Sequence, residues 1–452
     1  MPRLFGPPQL VGFAPPARTD LPAQPFSIPK QEHLMNRMLM AAMALGMATG
    51  ARAADANWPQ FRGPGGQGHA TAAIPLAGST LPTPTFKVPV PGKGWSSPVI
   101  SNGLIFLTSA IPSEDKKQLA LTVLAYHLDG CKEAWRTPVF QQDMTSAPKI
   151  HGKNSHASPT PIIDGDKVFV HFGHMGTAAL DTAGKLLWKT PGLYAKPVHG
   201  NGGSPALVDG KLVFSCDATD MQEVVALDTS TGKVAWRTRR DASPGKPFSF
   251  CTPLAVEDGG KKVMVCPGSD IVQGLEASTG REIWRLKYTG YSVIPRPVTG
   301  DGLVFLSTSY DKASLLAVRL GGSGDITPSH LAWKLDKNAP HTPSPLLTGE
   351  ALYVVSDAGV MSRLDPKTGA PAWQERLAGH YSASPVLATG GQILLASEEG
   401  DITVVRDAAK FEKVATAKLG ERSLASPALA GKVMIIRGEE HLFRFDAPSI
   451  GR

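Results

Sequence analysis

The chain has 452 residues, of which 42% are hydrophobic and 19% are charged, a composition typical of a globular protein rather than a disordered one. The net charge is only +7 and no run of Lys or Arg occurs, which argues against a nucleic-acid partner. The 47 Gly and 39 Pro are spread among short apolar runs, and this favours an all-β protein with many turns.

The N-terminal region resembles an export signal. Residues 1–34 are rich in Pro and lack periodicity, which indicates disorder or an upstream start that is not used. Residues 35–53 combine a basic start, an apolar run too short to span a bilayer, and Ala51-Arg52-Ala53. We interpret them as a signal peptide cleaved near Ala53, the alternative being a single membrane anchor. The mature protein is then periplasmic or extracellular, and residues 54–83 form an N-terminal lead segment.

A short phrase recurs eight times after the lead segment. Its clearest form is residues 204–214, which open with Ser204-Pro205, followed by residues 225–228 and by residues 231–236, which end in Trp236. The preceding residue is Ser or Thr in seven repeats and Arg296 in one. The opening prolines are Pro98, Pro159, Pro205, Pro253, Pro297, Pro345, Pro385 and Pro427. Their spacing is typical of four-stranded propeller blades, with Pro on the edge strand that faces the channel.

The eighth repeat lacks an outer strand, and the start of the chain supplies one. Phe86 lies as far before Pro98 as Trp333 lies before Pro345, so residues 85–88 should form the missing strand. We therefore predict an all-β, eight-bladed β-propeller over residues 84–447, built of four-stranded antiparallel blades, with the last blade closed by an N-terminal strand.

The four cysteines form no CxxC pair, which gives no support to a zinc or thioredoxin-type site. Cys251 and Cys266 fall on adjacent strands of one predicted blade. A disulfide between them is an open alternative in an oxidising compartment.

The blade pattern places the long loops on one face, which we call the long-loop face. They are residues 109–119, 135–158, 188–204 and 236–252, and polar residues flank the strands that open there. We expect these residues to line a polar ligand site at the channel mouth. The candidates are Lys153, Asn154, His156, His171, His174, His199, Asn201, Asp270, Tyr291, Arg296, Tyr310, Asp311, His341, Tyr381, Glu398 and Arg422.

Several candidates carry alternatives. His171 and His174 are candidate metal ligands with His156 or His199, although hydrogen bonding to neighbouring loops is the commoner role for such a pair. Arg296 is a candidate anion contact or part of a structural salt bridge. No catalytic triad or nucleotide-binding motif occurs.

The repeat of Ser-Pro, Ala-Leu-Asp, Thr-Gly and Trp resembles the pyrroloquinoline-quinone-like (PQQ-like) propeller family. Residues 57–64, Asn-Trp-Pro-Gln-Phe-Arg-Gly-Pro, resemble the start of exported members from planctomycete- and verrucomicrobia-like bacteria. The quinoprotein alcohol dehydrogenases of the family imply PQQ held by adjacent cysteines and a Trp, with Ca²⁺ and a catalytic Asp. This chain has no adjacent cysteines. The outer-membrane assembly lipoprotein of the family implies a Cys anchor, which is also missing after residues 35–53.

Three hypotheses of function follow, in order of preference. The first is an exported, non-catalytic binding or scaffold propeller without quinone, which engages a protein or a glycan at the long-loop face. The second is a quinone-dependent oxidoreductase that acts on alcohols or sugars. The third is a metal-assisted lyase or hydrolase that acts on a carbohydrate through the His cluster. The ligand and the oligomeric state stay open.

Overall fold

The computed structural model describes residues 57–447, and these fold into eight β-sheets arranged as the blades of a propeller. Strands β1 to β33 are numbered along the chain. Blades 1 to 4 contain β2 (Val99–Ser101), β3 (Leu104–Pro112), β4 (Gln118–His127), β5 (Glu133–Asp143); β6 (Ile162–Asp164), β7 (Lys167–His171), β8 (Gly176–Asp181), β9 (Leu186–Pro191); β10 (Ala206–Val208), β11 (Lys211–Asp217), β12 (Gln222–Asp228), β13 (Val234–Arg239); β14 (Leu254–Asp258), β15 (Lys261–Gly268), β16 (Ile271–Glu276), β17 (Glu282–Lys287) and β21 (Gly324–Asp325).

The remaining blades repeat the same antiparallel order from the channel outward. Blades 5 to 8 contain β18 (Val298–Gly300), β19 (Leu303–Ser307), β20 (Leu315–Arg319), β22 (Leu331–Leu335); β23 (Leu346–Leu347), β24 (Leu352–Val355), β25 (Val360–Leu364), β26 (Pro371–Arg376); β27 (Val386–Ala388), β28 (Gln392–Ala396), β29 (Asp401–Arg406), β30 (Lys413–Lys418); β31 (Ala428–Ala430), β32 (Val433–Arg437), β33 (His441–Asp446) and β1 (Phe86–Pro89). Two short 3₁₀ turns cover Pro64–Gly66 and Gly173–Met175.

The N-terminal strand closes the ring as predicted. β1 pairs antiparallel with β33, so that Phe86 lies opposite Arg444 and Val88 lies opposite Leu442. The eight-bladed fold is therefore confirmed. Blade 4 differs in having a fifth strand, because β21, from the insertion between β20 and β22, pairs in parallel with β17.

The core lies between neighbouring blades. In one cluster, Phe106 and Val123 of blade 1 pack with Val168 and Ala178 of blade 2, and all four are fully buried. Each of the buried Phe and Val side chains contributes about 1.5–3 kcal/mol relative to an exposed one. Outer-strand tryptophans add a polar link between blades: Trp236 Nε1 donates a hydrogen bond to the carbonyl oxygen of Ala277 at 3.1 Å.

Two expectations about local structure are wrong. Residues 109–119 do not form a long loop, since β3 and β4 extend the hairpin of blade 1 to Pro112 and Gln118. Pro159 does not open the innermost strand of blade 2, because Pro161 directly precedes β6, as Pro98 directly precedes β2.

The disulfide left open between Cys251 and Cys266 is not formed. Both are free, buried thiols, and Cys251 Sγ donates a hydrogen bond to the carbonyl oxygen of Pro295 at 3.1 Å.

No helix within residues 57–447 is long and apolar enough to cross a membrane. The predicted signal peptide at residues 35–53 and the preceding residues 1–34 lie outside the described residues.

Candidate functional site

The mouth of the central channel on the long-loop face holds a cavity of about 340 Å³, which we call the mouth cavity. This volume lies within the range of small-molecule sites. Loops that lead into the innermost strands form its walls, and Phe61 from the lead segment lies among its lining residues. A rigid ring of blades thus positions side chains from many distant parts of the sequence around one space.

A ring of hydroxyl groups surrounds the channel inside this cavity. In seven blades the Ser or Thr two residues before the innermost strand accepts a hydrogen bond from a backbone N–H of the preceding blade. In blade 2 this residue is Thr160, which stands before Pro161, and the distance from Ser97 N to Thr160 Oγ1 is 2.9 Å. Six further bonds of 2.8–3.1 Å complete the pattern. We call this set the hydroxyl ring: Ser97, Thr160, Ser204, Thr252, Ser344, Ser384 and Ser426. Arg296 occupies the eighth place and provides no hydroxyl.

A row of aromatic and imidazole rings in mutual contact lines one side of the cavity. Successive ring centroids lie 5.3–6.4 Å apart, and three of the contacts are edge-to-face. Such spacing and tilt are favourable for aromatic pairs. We call this row the aromatic arc: His151, His199, Phe248, Tyr291, Tyr310 and His341. All but His341 line the cavity.

Two members of the aromatic arc have a pKa shifted in the direction that favours the uncharged form. Burial, together with the neighbouring His151, lowers the pKa of His199 below its ordinary value. Burial, with a smaller effect of Asp357, raises the pKa of Tyr310. The arc therefore presents flat, weakly polar surfaces, which suit apolar or aromatic groups of a ligand.

Charged groups gather at two points of the rim. Lys153 Nζ lies 2.7 Å from Glu398 Oε1, which also accepts a hydrogen bond from Ser382 Oγ at 2.5 Å. On the other side, Lys246 Nζ lies 4.0 Å from the centre of the Tyr291 ring and donates to its hydroxyl. Both cations are thus held by the protein.

The predicted site residues separate into three groups. Those that line the mouth cavity are Lys153, Asn154, His199, Tyr291 and Tyr310. Those that contact lining residues from the rim are Asp311, His341, Glu398 and Arg422. Those that the structure does not bring to the cavity lining are His156, His171, His174, Asn201, Asp270, Arg296 and Tyr381.

The histidine pair is engaged by the protein. His171 is buried and its Nδ1 lies 2.8 Å from Thr177 Oγ1, while His174 Nε2 lies 3.1 Å from Gln142 Oε1. Burial lowers the pKa of both, that of His171 to about 3. Among the described residues, neither belongs to a group of three metal-ligating side chains close enough to share an ion. Tyr381 and Arg296 are also buried, and neither is among the residues that line the mouth cavity.

One such group does occur elsewhere, formed by Glu421, Glu440 and His441. Glu421 Oε1 accepts backbone hydrogen bonds from Glu440 and His441 at 3.0 and 2.9 Å, and its Oε2 lies 2.7 Å from His441 Nδ1. These hydrogen bonds explain why the three side chains lie together: Glu421 caps the turn between β32 and β33.

The donor set of the mouth cavity does not fit PQQ with Ca²⁺. Calcium requires carboxylate and carbonyl oxygens, and within residues 57–447 no carboxylate lines the cavity. The four cysteines are buried and separate in sequence, so they offer no adjacent pair against a quinone face.

Sequence reasoning missed the apolar part of the site. Trp95, Phe248, Phe250, Ile294 and Leu424 all line the cavity. A signal was present, because an aromatic residue or His stands four to ten residues before the opening prolines of six blades, from His151 to Tyr381. The search for polar side chains passed over that regularity.

Comparison with known proteins places the chain in a family. The PQQ-like family model described as "Outer membrane protein assembly factor BamB" matches residues 178–321 and 220–449, together more than half of the chain. The chain belongs to this family.

A curated relative, outer membrane protein assembly factor BamB of Yersinia pestis, is 27% identical over 187 residues. The match covers 39% of this chain and 44% of that protein, so it spans less than half of the relative's length.

Two solved structures share the fold. BamB from Moraxella catarrhalis is 13% identical, with a TM-score of 0.56 over 82% of this chain and 99% of that chain. A europium-containing methanol dehydrogenase is 12% identical, with a TM-score of 0.62 over 86% of this chain and 90% of that chain. One architecture thus serves an assembly factor and an enzyme, so the fold alone does not assign an activity.

Proposed function

We propose that this propeller is a non-catalytic binding or scaffold protein whose mouth cavity receives a polypeptide segment of a partner protein. The observation that carries the proposal is the lining of the mouth cavity: an aromatic arc on one side, a hydroxyl ring within, and no carboxylate among the described lining residues. Acid–base catalysis needs a positioned group that titrates near the working pH, and the lining histidine with a lowered pKa, His199, has no carboxylate partner there.

A polypeptide matches this lining in chemistry. Apolar side chains would pack on Phe248, Phe250 and Tyr291, and partner carbonyl groups would accept hydrogen bonds from the hydroxyl ring. Each ring oxygen already accepts one backbone N–H, and its own proton stays available to a ligand. Buried aromatic side chains commonly dominate binding energy at protein interfaces. The relative named as an outer membrane protein assembly factor supports a protein partner.

We place this function in the periplasm or outside the cell. The support is the signal-like pattern of residues 35–53 and the name of the Yersinia pestis relative. N-terminal sequencing of the exported protein should begin just after Ala53. A protein that retains residues 35–53 in the cytoplasmic fraction would contradict this placement.

Photo-crosslinking tests the binding proposal. p-Benzoylphenylalanine at Tyr291 in the mouth cavity should form a crosslink to a discrete protein in cells of the source bacterium. The same label at Lys261, exposed at the short turns of blade 4, is the matched control. A crosslink confined to Tyr291 and lost in Phe250→Ala supports the proposal. Equal labelling from both positions, or a glycan in place of a protein, contradicts it.

A quinone-dependent oxidoreductase is the second candidate, because a row of aromatic side chains at the channel mouth is also suited to a flat ring system. The lack of lining carboxylates and of adjacent cysteines stands against it. Addition of PQQ with Ca²⁺, followed by a dye-linked assay with alcohols and sugars, separates the two. Saturable dye reduction that Tyr291→Ala abolishes would overturn the binding proposal.

A further inference from the structure

The lead segment crosses the central channel. Its backbone pairs with Ile100 of β2 and accepts from the N–H of Ile163 of β6, in blades 1 and 2. Further along, Gln67 Oε1 accepts from the N–H of Thr299 in blade 5, and Gly68 O accepts from the N–H of Leu387 in blade 7. Residues 58–70 therefore bridge innermost strands on both sides of the channel, and Phe61 of this segment faces the mouth cavity.

This segment brings a buried arginine into the channel. Arg62 is 1% exposed, and its Nη2 donates to the carbonyl oxygen of Gln67 at 2.9 Å. Its Nε and Nη1 are buried and have no hydrogen-bond partner. Gly68 packs so closely that an added Cβ would lie 2.6 Å from Nη2.

A second buried arginine comes from blade 5. Arg296 is 3% exposed, and its Nη1 donates to the carbonyl oxygen of Phe61 at 2.9 Å. Its Nε is also buried without a partner. Gly66 lies against its guanidinium, where any side chain would collide. The lead segment is thus built around both guanidinium groups.

The two charges are not compensated within the described residues. Neither arginine forms an ion pair with a carboxylate, in contrast to the equally buried Arg240, whose Nε lies 2.6 Å from Asp217 Oδ1. Burial lowers the pKa of Arg62 to about 9, with a further contribution from Arg296, and burial lowers that of Arg296 to about 10. Both groups therefore remain cations at neutral pH, and a buried cation without a counter-charge is strongly unfavourable.

We infer that the channel beneath Phe61 holds a small monovalent anion, of the chloride class, between Arg62 and Arg296. The unpaired Nε and Nη1 of Arg62 and the unpaired Nε of Arg296 are its donors. Charge-assisted hydrogen bonds of this kind are among the strongest in proteins. The close packing of Gly66 and Gly68 on the two guanidinium groups excludes a large organic acid. The ion would fasten the lead segment into the channel and so fix the floor of the mouth cavity.

Anomalous diffraction and thermal unfolding test the site together. Crystals of the protein grown with sodium bromide should show a bromide peak between the two guanidinium groups. In solution, the melting temperature should rise by about 1–2 °C for each tenfold increase in chloride, and it should not respond to equal concentrations of gluconate, which is too large to enter.

Arg296→Ser is the matched variant, since it gives blade 5 the hydroxyl that the other seven blades have. It should fold, lose the bromide peak and lose the chloride dependence. If Arg296→Ser is unstable, Arg62→Gln replaces it as the test, because it keeps amide donors and removes the charge. The control is Arg319→Ser at an exposed site, which should behave like the wild type. A water in place of bromide, or equal melting temperatures in chloride and gluconate, would overturn the inference. A bromide peak without any dependence of the melting temperature on chloride would also overturn it, because it marks an adventitious ion only.

Discussion

Seven hydroxyl groups close most of a ring of hydrogen bonds around the central channel. Each one links a blade to the next through a backbone N–H that would otherwise be buried without an acceptor. A buried donor left unpaired costs about 1–3 kcal/mol. The ring therefore acts both as a seam between blades and as part of the lining of the mouth cavity.

Replacement of one ring member should show the cost of breaking the seam. Ser384→Ala removes the acceptor of the Ser344 N–H, a bond of 3.0 Å, and should lower the free energy of unfolding by about 1–3 kcal/mol. Urea unfolding followed by circular dichroism measures it. Ser384→Thr keeps the hydroxyl and should stay near the wild type, and equal losses in both variants would contradict the role of the hydroxyl.

His171 gives the protein a specific sensitivity to acid. Its pKa is lowered to about 3 because burial disfavours the imidazolium, with a smaller effect from His174. As pH falls below about 6.5, the unfolded chain binds a proton that the folded chain does not. Stability is therefore fully present above about pH 6.5 and is lost progressively as pH falls toward about 3.

The pH dependence of unfolding tests this. Between about pH 6 and pH 4, His171 alone should reduce the free energy of unfolding by up to about 1.4 kcal/mol per pH unit. His171→Gln should flatten the profile by that amount, and His127→Gln, at an exposed position, should leave it unchanged. An unaltered slope in His171→Gln would show that this histidine is protonated when folded.

At the level of elements, four outer-strand tryptophans pack on the glycine turn of the next blade: Trp135, Trp188, Trp236 and Trp333. Trp236 lies over Gly280, where an added Cβ would come within 2.5 Å of the indole ring, and Gly280 has a φ of 74°. The indole N–H bonds to the same turn region at Ala277. This contact explains why the Thr-Gly pair and the Trp recur together in the sequence.

Gly280→Ala should therefore be markedly destabilising, by about 2–4 kcal/mol, because strain at positive φ adds to a collision with the ring. Gly259→Ala is a matched control, since Gly259 has a φ of 56° but no atom within 4 Å of an added Cβ. It should cost only about 1 kcal/mol. Similar losses for the two variants, measured by thermal unfolding, would argue against a packing role for the glycine turn.

At the level of the whole molecule, one four-residue strand joins the two ends of the propeller. β1 covers the edge of β33, an edge that would otherwise be open to pairing with other chains. The ring is closed by backbone hydrogen bonds between residues more than 350 positions apart. Its stability is thus a property of all eight blades together.

Val88→Pro should open this closure, because proline has no N–H to donate to the ladder opposite Leu442. We expect a lower melting temperature and self-association on size-exclusion chromatography. Val88→Thr, which retains a β-branched side chain, should remain monodisperse to the same degree as the wild type. A Val88→Pro protein as stable as the wild type would show that β1 is dispensable.

The sequence was informative where a physical role repeats. Pro98 to Pro427 count the blades, and the distance from Phe86 to Pro98 locates the closing strand, since every blade needs the same parts. The aromatic arc was not predicted, because Phe248 and Tyr291 lie in loops that lead into different blades. Only the circular arrangement of the blades brings the centres of their rings to 5.6 Å from each other. The path of the lead segment was not predicted either, because Arg62 belongs to no repeat.

The affinity for the partner protein that is identified by photo-crosslinking at position 291 tests the central proposal most directly. Isothermal titration of that purified partner against the wild type and against Phe250→Ala/Tyr291→Ala compares a complete and a truncated aromatic lining of the mouth cavity. Lys261→Ala serves as the control. We predict that the double variant binds at least about tenfold more weakly, because buried aromatic anchors dominate such interfaces, and that Lys261→Ala binds like the wild type. Equal affinity of the double variant and the wild type would contradict a binding role for the mouth cavity.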